Sequence, residues 1–221
     1  MALLDAGGNI GAVSKYVKYK LEEHGQVVQH RIVEPLRENI DILRKNNPGR
    51  SIEIIEAALV GNDDRRKQVE ILLPTTNYQK YRACEKRYSL HPGKKEAVVV
   101  PSLRWCNFFK DLKESVEGVY LKADCEGPEE HVPAALQMFL PQAPSHCRLL
   151  IVIGELSYDN HPMKGYDYWN RWLRPLDAIR GWALLERSTL RGNPGLSKNT
   201  IERRSRYFHV RFEWVFTRMH S

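Results

Sequence analysis

The sequence predicts an α/β fold, a doubly wound and mostly parallel sheet with helices on both faces, and three observations predict it. The stretch Leu3-Leu4-Asp5-Ala6-Gly7-Gly8-Asn9-Ile10-Gly11 runs from an apolar strand end through a glycine turn into a helix. Strand-like and helix-like segments then alternate in a βαβαβ rhythm as far as Ala57. Further on, the apolar run Val119 to Ala123 delivers Asp124-Cys125-Glu126-Gly127-Pro128-Glu129 to its carboxyl end, the edge where ligands sit in an open α/β sheet.

Each element follows from its own pattern. After the glycine turn, Ile10, Val13, Val17 and Leu21 recur at helical spacing, which predicts that they lie on the sheet with Lys15, Lys18 and Glu22 outward. Gly25 ends that helix. Val27 to Val33 has a strand's length and β-branched content, and it closes at Glu34-Pro35, where proline suits the first position of the next helix. Leu36 to Arg44 makes that helix, Asn46-Asn47-Pro48-Gly49 ends it, and Ile52 to Ala57 is the third strand. Asn62-Asp63-Asp64 is turn chemistry, and Val69 to Leu73 reads as a short edge strand ahead of Pro74. Residues 75–96 are polar, basic and aperiodic, the mark of an insertion or active-site flap. Val98-Val99-Val100 leads to a helix with Trp105, Phe108, Phe109 and Leu112 on one apolar face. Leu149 to Ile153 is the fifth strand, Tyr166 to Ile179 a helix with Trp169, Trp172 and Leu173 inward, and Trp182 to Leu185 the sixth strand. Phe208 to Phe216 is the last strand, reached through a loop that includes Gly192 to Gly195 and expected to run antiparallel.

At 221 residues the chain is long enough to bury one core, so a single domain over residues 1–221 is expected. No apolar run has membrane-spanning length and no signal peptide is present. Cys84, Cys106, Cys125 and Cys147 lack paired metal-ligand spacing, which suits a reduced, cytoplasmic compartment and argues against zinc. The net charge of +7 comes from 34 basic and 27 acidic residues, largely interspersed. Two basic runs stand out, Arg65-Arg66-Lys67 and the run from Arg203 to Arg206 ahead of Tyr207 and Phe208. They are either solvated faces or the lining of a polyanion or saccharide path.

The glycine corner does not by itself choose a cofactor, because Ala6 stands where a dinucleotide fingerprint wants its first glycine. Asp5, Gly7, Asn9 and Gly11, with Glu34 about 20 residues on, resemble the S-adenosylmethionine site of class I methyltransferases. The run Leu121-Lys122-Ala123-Asp124-Cys125-Glu126-Gly127-Pro128-Glu129 is similar to the LKIDVEGAE signature of the FkbM methyltransferase family. The Val33-Glu34-Pro35 and Glu56-Ala57-Ala58-Leu59 strand endings and Glu155 after the fifth strand extend the likeness from Leu3 to about Glu155. It implies a Rossmann-like class I methyltransferase fold with a seven-stranded mixed sheet whose last strand is antiparallel. Family members carry a segment ahead of the corner, whereas this chain starts almost inside its first strand, so a domain excised from a longer chain is expected.

The resemblance further implies methyl transfer from S-adenosylmethionine to a hydroxyl of a sugar, glycan or similar small molecule. Its cofactor residues would be Asp5, Gly7, Gly8, Asn9, Gly11, Glu34 and Asp124, with adenine beside Glu56, Ala57, Ala58 and Leu59. Glu34 would cap the ribose, or serve as a surface carboxylate at a helix start satisfied by backbone amides. A neutral alcohol is a poor nucleophile, so a base is expected at the strand ends. Asp124, Glu126, Glu155 and His161 are the candidates. Glu126 is equally suited to a helix N-terminus, and His161 in Tyr158-Asp159-Asn160-His161-Pro162 to an ordinary loop. Asp124, Asp159 and Asn160 would give a magnesium ion hard oxygen ligands, but the latter pair falls several residues past the fifth strand, and no metal is expected. Tyr166, Tyr168 and Trp169 would stack on a sugar or pack in the core. Two other classes compete. A nucleic-acid methyltransferase suits the charge, but amino methylation of a flipped base uses a Pro-Pro-aromatic turn where this chain has Asp124-Cys125-Glu126-Gly127. A noncatalytic dinucleotide-binding module is set back by Ala6.

Overall fold

The computed structural model describes residues 1–26, 28–47, 52–74, 82–83, 95–125, 127–159, 176, 179–191 and 207–219. In chain order the elements are β1 (Ala2–Ala6), α1 (Ala12–Glu23), β2 (Gln29–Glu34), α2 (Arg37–Asn46), β3 (Ile52–Glu56) and β4 (Ala58–Val60). There follow β5 (Gln68–Pro74), β6 (Arg82–Ala83), β7 (Lys95–Arg104), α3 (Trp105–Phe108), β8 (Gly118–Ala123), α4 (Val132–Phe139), β9 (Leu149–Asp159), β10 (Trp182–Arg191) and β11 (Tyr207–Arg218).

Seven strands form one mixed sheet in the order β10-β11-β9-β8-β1-β2-β3. The first five in sequence (β1, β2, β3, β8, β9) are parallel, whereas β11 runs antiparallel to both β9 and β10. Counting only this sheet, the order is 3-2-1-4-5-7-6 with an inverted seventh strand, the class I methyltransferase arrangement, and the predicted fold class is the one observed. An all-parallel dinucleotide fold would continue 3-2-1-4-5-6. β1 lies at the centre with all five residues buried, Asp5 being the one polar residue among them.

The two faces are covered differently. Ala2, Leu4, Val119, Leu121, Leu150 and Val152 point to the face closed by α3 and α4, where Trp105, Phe108, Leu136 and Phe139 complete the main core. Phe109 stacks on Phe139 with centroids 4.6 Å apart, and Phe212 on Trp214 at 4.4 Å. Arg31 is buried beneath that layer. It pairs with Glu53 at 2.7 Å and donates to the Phe108 carbonyl at 2.9 Å and to that of Lys110, so β2 is tied to the turn after α3. α1 and α2 cover the other face, against Leu3, Asp5, His30 and Ile32.

Three expectations need correction. On α1, Ser14 is the buried residue, whereas Ile10 and Val13 are 39% and 53% exposed. The sheet row beneath it carries Asp5 and His30, and a small polar residue packs there better than valine. Val69 to Leu73 is not a lone edge strand. β5 lies between β7 and β6 in a separate four-stranded sheet, β4-β7-β5-β6, inserted between β3 and β8 around a small core of Ala58, Val60, Val69, Ile71 and Val100. The fifth strand does not stop at Ile153. Antiparallel pairing with β11 carries β9 on to Asp159, so Glu155 and Asp159 are strand residues, opposite Arg211 and Tyr207.

Several predicted features lie outside the described residues. These are Val27, most of residues 75–96 including Cys84, nearly all of the helix Tyr166 to Ile179 with Tyr166, Tyr168, Trp169, Trp172 and Leu173, the loop at Gly192 to Gly195, and the run Arg203 to Arg206. No helix among the described residues is long and apolar enough to cross a membrane.

At Gly154, β9 lies close against its neighbours. A Cβ there would stand 2.3 Å from Phe212 Cζ and 2.5 Å from the Ala123 carbonyl oxygen, which is backbone and cannot rotate away. Gly154→Ala is therefore expected to cost about 3 kcal/mol of unfolding free energy in a denaturant titration. A loss below about 0.5 kcal/mol would show that the β8-β9-β11 contact is looser than described.

Candidate functional site

The glycine corner is built from the backbone outward. Gly7 and Gly11 both adopt φ of 78° and Asn9 adopts 50°, left-handed values that glycine and asparagine tolerate. The Gly7 and Gly8 amides both donate to the Val33 carbonyl at 3.0 Å, which folds the turn over the end of β2. The glycines make room for the protein itself. A Cβ on Gly7 would lie 1.9 Å from the Asp124 carbonyl oxygen, and one on Gly8 2.1 Å from Ile32 Cγ2. Gly8 is thus needed for packing on β2. α1 begins at this corner with no side-chain cap and no acidic residue in its first turn, which suits an anionic group.

Glu34 supports the turn from below. It is 4% exposed, Oε2 accepts the Asn9 N–H at 2.8 Å, and Oε1 accepts the Leu36 N–H at 3.1 Å and Asn39 Nδ2 at 3.0 Å. Burial raises its pKa, opposed by those three hydrogen bonds. It is satisfied by amides as a helix-start carboxylate would be, yet it is an interior residue. Glu56 ends β3 beside it in register and pairs with Arg37 at 2.6 Å, while Ala57, Ala58 and Leu59 are buried.

Beside β1, Lys122 Nζ lies 3.0 Å from Asp5 Oδ1, 3.0 Å from the Gly7 carbonyl oxygen and 3.8 Å from Asp124 Oδ2. Burial would lower its pKa, but Asp5 and Asp124 outweigh it and the net direction is up. The Asp124 side chain is 47% exposed at the mouth of the corner, and its N–H donates to the Ala6 carbonyl at 3.0 Å. Asp5, Gly7, Gly8, Asn9, Gly11, Glu34 and Asp124 therefore converge on the carboxyl ends of β1, β2 and β8. Glu155 follows Gly154, which pairs with Ala123, so Asp124 leaves β8 at the level where β9 continues through Glu155. Asp159 sits five residues beyond Gly154, about 16 Å along an extended strand. No cluster of His, Cys, Asp and Glu able to hold a metal occurs among the described residues. Glu126, Asn160 and His161 lie outside them.

Sequence reasoning missed Glu129. It is fully buried in the 3₁₀ turn Pro128–His131, and its carboxylate accepts the Gly127 N–H at 2.7 Å and the Cys125 N–H. An acidic residue just after a Gly-Pro helix start was the available signal. Arg66, from the first basic run, is engaged by Asp64.

No protein-family model and no curated protein matches the sequence. Solved structures similar in fold include a proposed methyltransferase from Thermoplasma acidophilum, 14% identical, with a TM-score of 0.42, covering 99% of this chain and 68% of its own. A S-adenosylmethionine-dependent methyltransferase from Leishmania major is 10% identical, with a TM-score of 0.43, covering 97% and 63%. The methyltransferase FkbM from Methylobacillus flagellatus KT is 13% identical, with a TM-score of 0.43, covering 96% of this chain and 44% of its own. The chain thus spans less than half of that FkbM protein, and about two thirds of the other two.

Under α1, Asp5 Oδ2 and both ring nitrogens of His30 are buried with no hydrogen-bond partner among the described residues. Burial lowers the His30 pKa to about 4, with Asp5 opposing. A histidine depressed from 6.5 favours the folded state above its unfolded pKa, and that contribution is lost as pH falls toward 4. Relative to His30→Leu, the wild type is expected to lose about 3 kcal/mol between pH 6.5 and pH 4 in urea titrations. Parallel pH profiles for the two proteins would mean that His30 is solvated.

Proposed function

We propose that the chain is a S-adenosylmethionine-dependent O-methyltransferase of the FkbM type, acting on a hydroxyl of a sugar, glycan or similar small molecule. The observation that carries the reading is the left-handed corner Gly7 to Gly11 opening onto Asp124 in a sheet of the 3-2-1-4-5-7-6 order. The signature-like run Leu121 to Glu129 supports the narrower family, and β11, inserted antiparallel between β9 and β10, favours it over a dinucleotide-binding module.

The residues present fit the cofactor. The uncapped first turn of α1 suits the methionine carboxylate, Asp124 at the mouth suits its amino group, and the second lone pair of Glu34 Oε2 suits a ribose hydroxyl. Adenine is assigned to the end of β3, by Glu56 to Leu59. When bound, the cofactor supplies a methyl group activated by its sulfonium. The chain's own task is to hold the acceptor oxygen in line and to take its proton, a role we assign to Asp124, after β8, or to Glu155, within β9. Glu126 and His161 remain candidates from the sequence. A neutral acceptor suits a corner whose charges are already paired, Lys122 with Asp5 and Arg37 with Glu56.

S-adenosylmethionine and its demethylated product are expected to raise the thermal midpoint, whereas NAD leaves it unchanged. Stabilisation by NAD alone would replace this reading with the dinucleotide module.

With a hydroxyl acceptor in hand, changing the true base among Glu126→Gln, Glu155→Gln and His161→Asn should lower kcat about a hundredfold with cofactor affinity within a few fold. Normal turnover in all three would leave proton removal to Asp124 or to solvent.

A further inference from the structure

Glu129 has no part in the reading above, yet it is a fully buried acid set directly behind the site. Its two oxygens accept two backbone amides, Cys125 N–H on Oε1 and Gly127 N–H on Oε2 at 2.7 Å. These amides follow Asp124, whose own backbone is locked to β1 through the Ala6 carbonyl and whose carbonyl oxygen fills the space a Gly7 side chain would take. Trp105 closes the turn from α3, donating its indole N–H to the Pro128 carbonyl at 3.0 Å. Gly127, at φ 153°, gives the chain the reversal that brings its amide to the carboxylate.

We propose that Glu129 is the positioning residue of the cofactor corner, its carboxylate gripping the Cys125 and Gly127 amides so that Asp124 is presented at the mouth of the glycine turn. The role rests on the reading of that corner as the S-adenosylmethionine site. Glu129 touches neither cofactor nor acceptor. It acts through the backbone, and the grip is strongest when both oxygens are free to accept.

Burial pushes the Glu129 carboxyl up to about 7, against its amide hydrogen bonds, and Asp124 adds to the rise. Asp124 and Cys125 face it from the loop, Lys122 and Asp5 lie beyond Cys125, and Glu130 and His131 share its turn. Burial keeps the Cys125 thiol protonated, with Glu129 as the next cause. A carboxyl raised above its unfolded value favours the fold below the unfolded pKa and loses that contribution as pH rises through about 7. The gripping, ionised form is therefore held at the expense of global stability.

The test compares the wild type with Glu129→Gln, whose amide offers one acceptor oxygen and turns an NH2 toward the other N–H. Affinity for S-adenosylhomocysteine is measured by calorimetry from about pH 5.5 to about 8.5, and amide hydrogen exchange at Cys125 and Gly127 is followed without ligand. Wild-type affinity is expected to rise about tenfold through neutrality, and the variant to bind about tenfold more weakly at pH 8 with a flat profile and faster exchange at both amides. Equal affinity and equal exchange in the two proteins would overturn the proposal. If the variant fails to fold, a flat wild-type profile overturns it just as directly. A wild type that binds no cofactor, while the variant's two amides exchange faster, would refute the cofactor reading and leave Glu129 as the grip on this loop.

Discussion

The ammonium of Lys122 is the interaction on which the site depends. It lies at the sheet centre, where β1 and β8 run side by side in register from Ala2 and Val119 to Ala6 and Ala123. Its contacts with Asp5, with the Gly7 carbonyl and with Asp124 join one strand to the loops that leave both. A buried ion pair is weak evidence for stability, because desolvation offsets much of the attraction. Its effect here is specificity. Lysine at 122 is acceptable only with Asp5 opposite, and with both in place the turn and the β8 loop have one mutual arrangement.

That polar seam shapes what packs above it. α1 presents Ser14 to the sheet and turns Val13 out, and α2 supplies Leu43 close to the position a Gly8 side chain would take. The glycines let two loops and a helix close on one another at backbone distance, and Glu34 then holds the closed turn through Asn9. The first-turn amides of α1 remain without a side-chain cap at the end of this construction. A corner assembled this tightly is set before a ligand arrives, which lowers the ordering cost of binding.

Topology was legible in the sequence because each parallel strand is apolar, short and bounded by turn residues, so β1, β2, β3, β8 and β9 start close to where the pattern places them. Strand length was less legible. β9 continues to Asp159 because β11 pairs with it beyond the end of β8, and Gly154-Glu155-Leu156-Ser157 has no apolar run to announce that pairing. The inserted sheet was read only as fragments, since β4 is a continuation of the third strand and its partner Ser102-Leu103-Arg104 is distant in sequence. At the site, Asp5, Glu34 and Asp124 were visible from spacing. Glu129 was not, because its importance lies in burial and in two amides that only the fold brings to it.

The extension of β9 also divides the sheet into two parts of different build. β8 ends at Ala123, in register with Gly154, so Asp124 leaves the sheet at a level where β9 goes on into Glu155. β9, β10 and β11 go on past that level as an antiparallel unit, and Asp159 travels with them. The corner is thus built from short parallel strands, where register fixes backbone to within a hydrogen bond. The antiparallel unit is built from long ones, whose pairing carries β9 on to Asp159 beyond the end of β8.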